Sequence, residues 1–236
     1  MHIVVVGGNG FIGSHFVKDA AQRGHKITVV GRNQKPAFQH GEPYAFVPGG
    51  IDALAQDPSL IEASDVICHM ASTTIPATAT VNPVEDIQQN LEPLVALLEA
   101  MRRTGKRRLL YISSGGAVYG HPKTTPIREC HPTDPISAYG VQKLAAEKYL
   151  QLYEHLYGFR VAILRPANPY GPGQQGAGRR GVVNTFVDLA RSGNIATIWG
   201  DGSTVRDFVH VTDLSRCLTA ALENDVVGTF NCGGGQ

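Results

Sequence analysis

Short apolar, β-branched runs recur along the chain at Ile3 to Val6, Ile27 to Val30, Tyr44 to Val47, Val66 to His69, Leu109 to Ser113 and Arg160 to Leu164. Most are separated by segments long enough for a helix, and the three-to-four spacing of apolar residues predicts helices over Phe11 to Arg23, Pro83 to Arg103, Ser137 to Tyr157, Val182 to Arg191 and Thr212 to Leu222. Leu91, Leu94, Val95, Leu97 and Leu98 illustrate that spacing. Strand runs alternating with helical stretches predict an α/β fold, a doubly wound parallel sheet with helices on both faces. From Pro166 the texture changes, because Pro166, Pro169, Pro172 and a series of glycines from Gly171 to Gly202 interrupt the alternation. This part predicts a loop-rich lobe over the carboxyl edge of the sheet.

Composition narrows the function classes. The 236 residues carry 21 Lys+Arg against 20 Asp+Glu, a formal charge of +1, with only 17% of residues charged. Neither a nucleic-acid clamp nor an acidic tail is indicated. Hydrophobic content of 42% and a mean hydropathy of -0.10 suit a globular protein, and no run of about 18 apolar residues is available to span a bilayer. The chain enters directly into an apolar strand, without the basic stretch of a signal peptide. Cys68, Cys130, Cys217 and Cys232 lack a C-x-x-C spacing, so reduced thiols in a cytoplasmic protein are expected and a metal site is not. The basic cluster Arg102, Arg103, Lys106, Arg107 and Arg108 reads as a solvated helix end.

Chemistry begins at Gly7-Gly8-Asn9-Gly10-Phe11-Ile12-Gly13, between the first strand and the first helix. Glycines there permit a tight turn, close approach of backbone to a pyrophosphate and close helix–strand packing, while the helix N-terminus presents N–H donors. Strand, turn and helix stand in the order a dinucleotide site requires. The second strand, however, ends Val29-Val30-Gly31-Arg32-Asn33, without the carboxylate that would hold adenosine ribose hydroxyls. Arg32 could bind a 2′-phosphate, so NADP is as compatible with this strand end as NAD.

Tyr139 and Lys143 lie four apart near the start of a predicted helix and therefore on one face. An ammonium beside a phenol favours the phenolate, which would bring a group of ordinary pKa near 10 toward acid–base use.

These motifs, with Ser113-Ser114-Gly115-Gly116-Ala117-Val118-Tyr119-Gly120, Arg165-Pro166-Ala167-Asn168-Pro169-Tyr170-Gly171-Pro172 and Val205-Arg206-Asp207-Phe208-Val209-His210-Val211-x-Asp213, resemble the extended short-chain dehydrogenase/reductases. Within them the chain is similar to the NAD-dependent sugar-nucleotide epimerase/dehydratase family, and most to its UDP-glucose 4-epimerase branch. The resemblance implies a Rossmann domain over residues 1–165 and a partial substrate lobe over 166–236, with segments returning to the sheet. It implies Tyr139 as the base at the sugar C4 hydroxyl, Lys143 at the nicotinamide ribose, and Ser114 as a catalytic hydroxyl. Gly7, Gly10, Phe11, Ile12, Gly13, Arg32, Ala71, Asn90, Ser113 and Pro166 would surround the NAD, together with Tyr139 and Lys143. Thr74, Ser114, Asn168 and Arg206 would meet the UDP-sugar, Arg206 by clamping its diphosphate. A cytoplasmic homodimer without nucleic-acid or membrane partners is expected.

Three departures qualify the pattern. The family's Ser or Thr stands four residues before Tyr119, where this chain has Gly115, so Ser114 is one residue out of register. The expected adenine-contacting Asp is Gly50, with Asp52 two places on. The sequence stops at Gln236, where the family continues, which suggests a C-terminal truncation, a side of the lobe facing solvent and a mobile Gly171 to Gly181 loop. Asp213 suits a helix N-cap and His210 a structural hydrogen bond. Tyr119, Trp199 and Phe208 read as packing residues, the last two near where a uracil would lie. An NADP-dependent nucleotide-sugar reductase or a dehydratase, and a non-catalytic dinucleotide sensor, stand as alternatives; Gly115-Gly116 lack the acidic residues a dehydratase needs.

Overall fold

The computed structural model describes residues 1–32, 44–174, 181–198 and 200–235; Asn33, Trp199 and the middle of the Gly171–Gly181 loop lie outside them. Nine strands are present among the described residues: β1 (His2–Val6), β2 (Lys26–Gly31), β3 (Tyr44–Pro48), β4 (Val66–His69), β5 (Arg108–Ile112), β6 (Arg160–Pro166), β7 (Asn168–Tyr170), β8 (Phe208–His210) and β9 (Gly228–Cys232). Seven form one parallel sheet in the order β3-β2-β1-β4-β5-β6-β9. The order reverses at β1, and the crevice beside β1 and β4 at their carboxyl ends is where open α/β sheets take ligands. β7 and β8 pair in a separate two-stranded sheet.

Strand β1 shows why its residues read as a continuous apolar run. Ile3 and Val5 enter one core with Phe16, Val17, Leu214 and Leu218, while Val4 and Val6 enter the other with Leu94, Leu97, Leu98 and Leu150. A strand buried on both faces has no polar side to alternate with. On the first face the Val211–Glu223 helix lies against the Phe11–Gln22 helix, and Arg23 pairs with Glu223 at 2.9 Å.

Five differences from the sequence reading have physical causes. Segments returning to the sheet were expected, but strands β7, β8 and β9 and the short helices after β3 were not placed, because stretches such as Asn168–Tyr170 and Gly228–Cys232 lack the continuous apolar run of the leading strands. The Pro83 to Arg103 segment is not one uniform helix: a π-helical turn, Ile87–Leu91, separates Pro83–Asp86 from Glu92–Arg103. Pro93 supplies a reason, since it has no N–H to donate to the carbonyl four residues back and its ring crowds that carbonyl. The basic cluster is not merely solvated, as Arg102 pairs with Glu99 at 2.8 Å, Lys106 donates to the Ser64 carbonyl at 2.7 Å and Arg108 pairs with Asp225 at 3.0 Å. His210 rather than Asp213 is the N-cap of its helix, its Nδ1 accepting from the Thr212 N–H, while Asp213 sits in the first turn facing Arg216. Tyr119 is buried but not only packed, since its hydroxyl donates to Asn231 at 2.7 Å.

The Ala138–Tyr157 helix matters most for the site. The Ser137 hydroxyl accepts from the Gly140 N–H at 3.1 Å at its start, and Gly158, at φ 67°, ends it in the left-handed region. Its Glu147 is fully buried and accepts from Arg165 of β6 at 3.0 and 2.5 Å, in a two-pronged ion pair. Glu147→Ala leaves the Arg165 guanidinium buried without its partner. It is expected to cost about 3–5 kcal/mol of unfolding free energy, read as the denaturant midpoint against the parent chain.

Candidate active site

The carboxyl ends of β1, β4, β5 and β6 bring the chemical motifs together. Gly7 adopts φ 82°, and a Cβ there would lie 2.7 Å from the Ala71 nitrogen, so the turn after β1 and the segment after β4 are in backbone contact. A Cβ at Gly13 would run into the Gly7 carbonyl. The Phe11–Gln22 helix therefore starts directly above the turn, and no side chain caps it. Its first N–H groups, those of Phe11 and Ile12 among them, have no side-chain cap and stand over a turn that Gly7 and Gly13 keep close to the backbone, which fits a pyrophosphate.

At the end of β2, a Cβ on Gly31 would come within 2.7 Å of the Asn9 Oδ1. The Asn9 amide thus lies where a side chain at position 31 would stand, and Arg32 beyond it is exposed. Asp52 is folded back onto Gly50, its carboxylate meeting the place of a Cβ there.

Tyr139 and Lys143 sit at the end of β5. Lys143 is buried, donates to the Ile112 carbonyl at 3.0 Å and lies 5.8 Å from the centre of the Tyr139 ring and 4.8 Å from that of Tyr111. Burial pulls its pKa down to about 8, against the opposing charges of Asp86 and Glu147. Burial also pushes Tyr139 up to about 12; a hydrogen bond from Ser114 works the other way and the Asp86 charge adds to the rise. The lowered phenol expected from the Tyr139–Lys143 spacing is therefore reversed in the protein alone: loss of solvent outweighs the help from Ser114, and Lys143, itself pulled down to about 8, has lost its charge before the phenol titrates. His69, stacked edge-on against Tyr111 at 5.4 Å, is pushed down to about 3 by burial and is neutral.

Ser114 lies near enough to Tyr139 to favour its phenolate despite its register. It is the extended residue that starts the short Gly115–Val118 helix, and this change of direction re-aims its side chain. A Cβ at Gly115 would lie 3.0 Å from the Arg165 carbonyl oxygen and 3.1 Å from that of Pro166, so a larger residue there would be crowded by β6. Ser113 departs from expectation: its hydroxyl is buried and donates to Glu147, so its side chain faces the ion pair rather than the cleft.

The π-helical turn carries Asn90, which accepts from the Thr73 N–H at 3.0 Å and donates to Asp86 at 2.9 Å and Thr73 Oγ1 at 2.9 Å. The Thr74 hydroxyl also donates to Asp86, a carboxylate almost fully buried. Sequence reading missed Asp86 and Glu147. Their only signal was spacing, four before Asn90 and four after Lys143.

The lobe residues are less closely assembled. Asn168 Nδ2 donates to the Asp207 carbonyl at 2.8 Å, and its Oδ1 would stand 3.8 Å from a Cβ on Gly116, so this side chain spans β7, β8 and the Ser114 loop. Arg206 is exposed, donates to its neighbour Val205 at 2.9 Å and lines an open cleft with Tyr170, Phe208 and Gly233. Val182, Phe186 and Val187 leave an apolar side of the Val182–Arg191 helix exposed. Among the described residues no cluster of His, Cys, Asp or Glu is placed to hold a metal, and no helix is long and apolar enough to cross a membrane.

Residues 3–233 match the NAD dependent epimerase/dehydratase family. The chain belongs to this family. Among relatives, a putative UDP-glucose 4-epimerase of Methanocaldococcus jannaschii is 35% identical over 229 residues, covering 95% of this chain and 75% of its own. A UDP-glucose 4-epimerase of Thermotoga maritima, solved with UDP-glucose, superposes with a TM-score of 0.91 at 32% identity, covering all of this chain and 78% of its own. The Thermus thermophilus UDP-glucose 4-epimerase, solved with NAD, gives 0.87 at 32% identity, with 100% and 78% covered. The doubly wound fold expected from the sequence is thus shared with epimerases of the family along the whole chain.

The depressed Lys143 pKa has a consequence for stability. Below about pH 8 the folded protein holds a buried ammonium at a cost; between pH 8 and the ordinary value of 10.5 the folded state has released a proton that the unfolded state still binds. The Lys143 contribution to stability therefore rises with pH across that window. Lys143→Met is expected to remove this rise, seen as a flatter plot of unfolding free energy against pH from 8 to 10.5 than in the parent.

Proposed function

We propose that the chain is a nucleotide-sugar 4-epimerase of the UDP-glucose or UDP-N-acetylhexosamine type, working with NAD. The observation that carries this reading is the convergence of Ser114, Tyr139 and Lys143 at the end of β5 beside the glycine cradle of β1. The epimerases solved with UDP-glucose and with NAD support it by likeness. When bound, the dinucleotide supplies reversible hydride exchange at the sugar C4.

The chain's own residues do the rest. Gly7, Gly10, Gly13 and the N–H groups of Phe11 and Ile12 take the pyrophosphate, with Ala71 and Pro166 against the remaining faces of the cofactor. Tyr139 accepts the C4 hydroxyl proton and returns it after the 4-keto sugar has turned over, so no net oxidation results. Ser114 donates to the same phenolic oxygen and orients the hydroxyl. Lys143, held by the Ile112 carbonyl, supplies positive charge beneath the phenol. Asn90, fixed by Asp86, keeps the Thr73-Thr74 segment at the sugar side of the cleft. Asn168 and Arg206 meet the diphosphate from the lobe, residues 166–236, which we assign as the substrate-binding unit over the 1–165 Rossmann domain.

A homodimer belongs to the same reading. Ile87, Leu91, Val95, Ala96 and Tyr149, with Glu92 and Glu99, line a largely apolar depression between the Glu92–Arg103 and Ala138–Tyr157 helices, and Leu152 and Leu156 on the second helix are 45% and 54% exposed. Exposed apolar side chains of this kind suit a second copy of the same face. The four free cysteines support a cytoplasmic location.

Tyr139→Phe is expected to retain the dinucleotide and lose about 10²- to 10⁴-fold in epimerase turnover, measured by a coupled assay on UDP-glucose and UDP-N-acetylglucosamine. Ser114→Ala should lose roughly 10- to 100-fold, the worth of a hydrogen bond to a charged group. Unchanged turnover in Ser114→Ala would assign the C4 hydroxyl to another donor.

Exposed Arg32 favours a second reading, a keto-sugar reductase using NADP. Arg32→Asp is expected to shift the ratio of NAD to NADP affinity toward NAD, since a carboxylate accepts ribose hydroxyls and repels a 2′-phosphate. Calorimetric titration with both nucleotides reads this directly; an unchanged ratio means that Arg32 meets only solvent.

A further inference from the structure

Two of the four cysteines, fifteen residues apart in sequence, meet in space: Cys217 Sγ and Cys232 Sγ are 3.5 Å apart. Cys217 lies on the outer side of the Val211–Glu223 helix and is exposed, whereas Cys232, the last residue of β9, is buried. Cys68 is sealed in the core, and Cys130 is exposed, next in sequence to Glu129, whose carboxylate accepts from the Asn231 N–H at 2.9 Å. The sulfurs need to close by roughly 1.5 Å to reach bonding distance, a movement within reach of an exposed side chain that can rotate about its Cα–Cβ bond.

We propose that Cys217 and Cys232 form a thiol modification site, which a small disulfide oxidant of the oxidised-glutathione class converts to an intramolecular disulfide. The two thiols have different parts. Of the two, Cys217 is the one an oxidant can reach, and a hydrogen bond from Cys232 favours its thiolate. The Cys217 thiolate attacks one sulfur of the oxidant and expels a glutathione thiolate, leaving a mixed disulfide. Cys232 then loses its proton and attacks Cys217 Sγ, expelling the second glutathione. Two protein thiols and one oxidised glutathione become one protein disulfide and two reduced glutathiones. Before the first step Cys232 is held protonated chiefly by its hydrogen bond to Cys217, with burial and the Cys217 and Glu129 charges adding. Consumption of the Cys217 thiolate removes the largest of these causes.

The bond would act next to the candidate substrate cleft. The Cys232 carbonyl accepts from the Ala167 N–H at 2.8 Å, and the Gly234 N–H donates to Asp207, the neighbour of Arg206, at 2.9 Å. Cross-linking therefore ties the Val211–Glu223 helix to the strand end that backs the cleft.

The experiment incubates the full chain with oxidised glutathione, quenches with N-ethylmaleimide under denaturing conditions and maps the cysteines by peptide mass spectrometry. The expected result is loss of two of the four thiols, a peptide joining Cys217 to Cys232 with two hydrogens fewer, alkylated Cys68 and Cys130, and reversal by dithiothreitol. Cys232→Ser should halt at a glutathione adduct on Cys217, and Cys217→Ser should leave Cys232 alkylatable. The parent chain decides the matter even if a variant does not fold. A persistent glutathione adduct on its Cys217, or four alkylated thiols after oxidation, overturns the proposal.

Discussion

The buried pairing of Glu147 with Arg165 sets the position of everything that surrounds the candidate site. Neither charge can be removed from water without the other, so the Ala138–Tyr157 helix must lie against the end of β6 at one height and one rotation. Ser113 adds a hydrogen bond from the end of β5 to the same carboxylate, and Arg165 donates onward to Tyr119 at 2.7 Å, which reaches Asn231 of β9. Three adjacent strands of the sheet are thereby fastened to one helix. Tyr139, Lys143 and Glu147 follow each other at four-residue intervals, so the stripe that anchors the helix also carries its reactive groups to the strand ends.

Burial then governs the electrostatics of those groups. Both Tyr139 and Lys143 move toward their neutral forms, because the low-dielectric wall of β5 and the Tyr111 ring takes away the water that would solvate a charge. Asp86 acts on the two in opposite senses, favouring the ammonium and disfavouring the phenolate. Ser114 is the neighbour whose hydrogen bond favours the phenolate. The unusual helical turn at Ile87–Leu91 matters here, since it carries Asn90 and keeps it bonded to Asp86.

The glycine turn shows how closely backbone geometry and recognition are coupled. Gly7 and Gly13 are required by contacts within the protein, to Ala71 and to the turn itself, before any ligand is considered. At Gly31 the neighbour is only the amide end of the Asn9 side chain, which can move, so the constraint there is softer. The Asn9 amide fills the space beside Gly31 at the end of β2, and the Asp52 carboxylate lies against Gly50.

The amino-acid sequence by itself determined the alternating α/β order, the six leading strands, the long helices and the glycine turn, because each is written in local periodicity or in a conformation only glycine tolerates. It also marked Tyr139 and Lys143, whose spacing makes them neighbours on any helix. Tertiary structure decided what spacing cannot encode: that burial and not charge proximity dominates the phenol, that a change of backbone direction at Gly115 brings Ser114 back to Tyr139, and that Ser113 turns away to Glu147. Asp86, the β7–β8 pair and the meeting of Cys217 with Cys232 were likewise invisible along the chain. Each arises from segments distant in sequence that the packing of helices on a twisted parallel sheet brings to one edge, and solvent exclusion, which sets the strength of every charge there, exists only once that packing is complete.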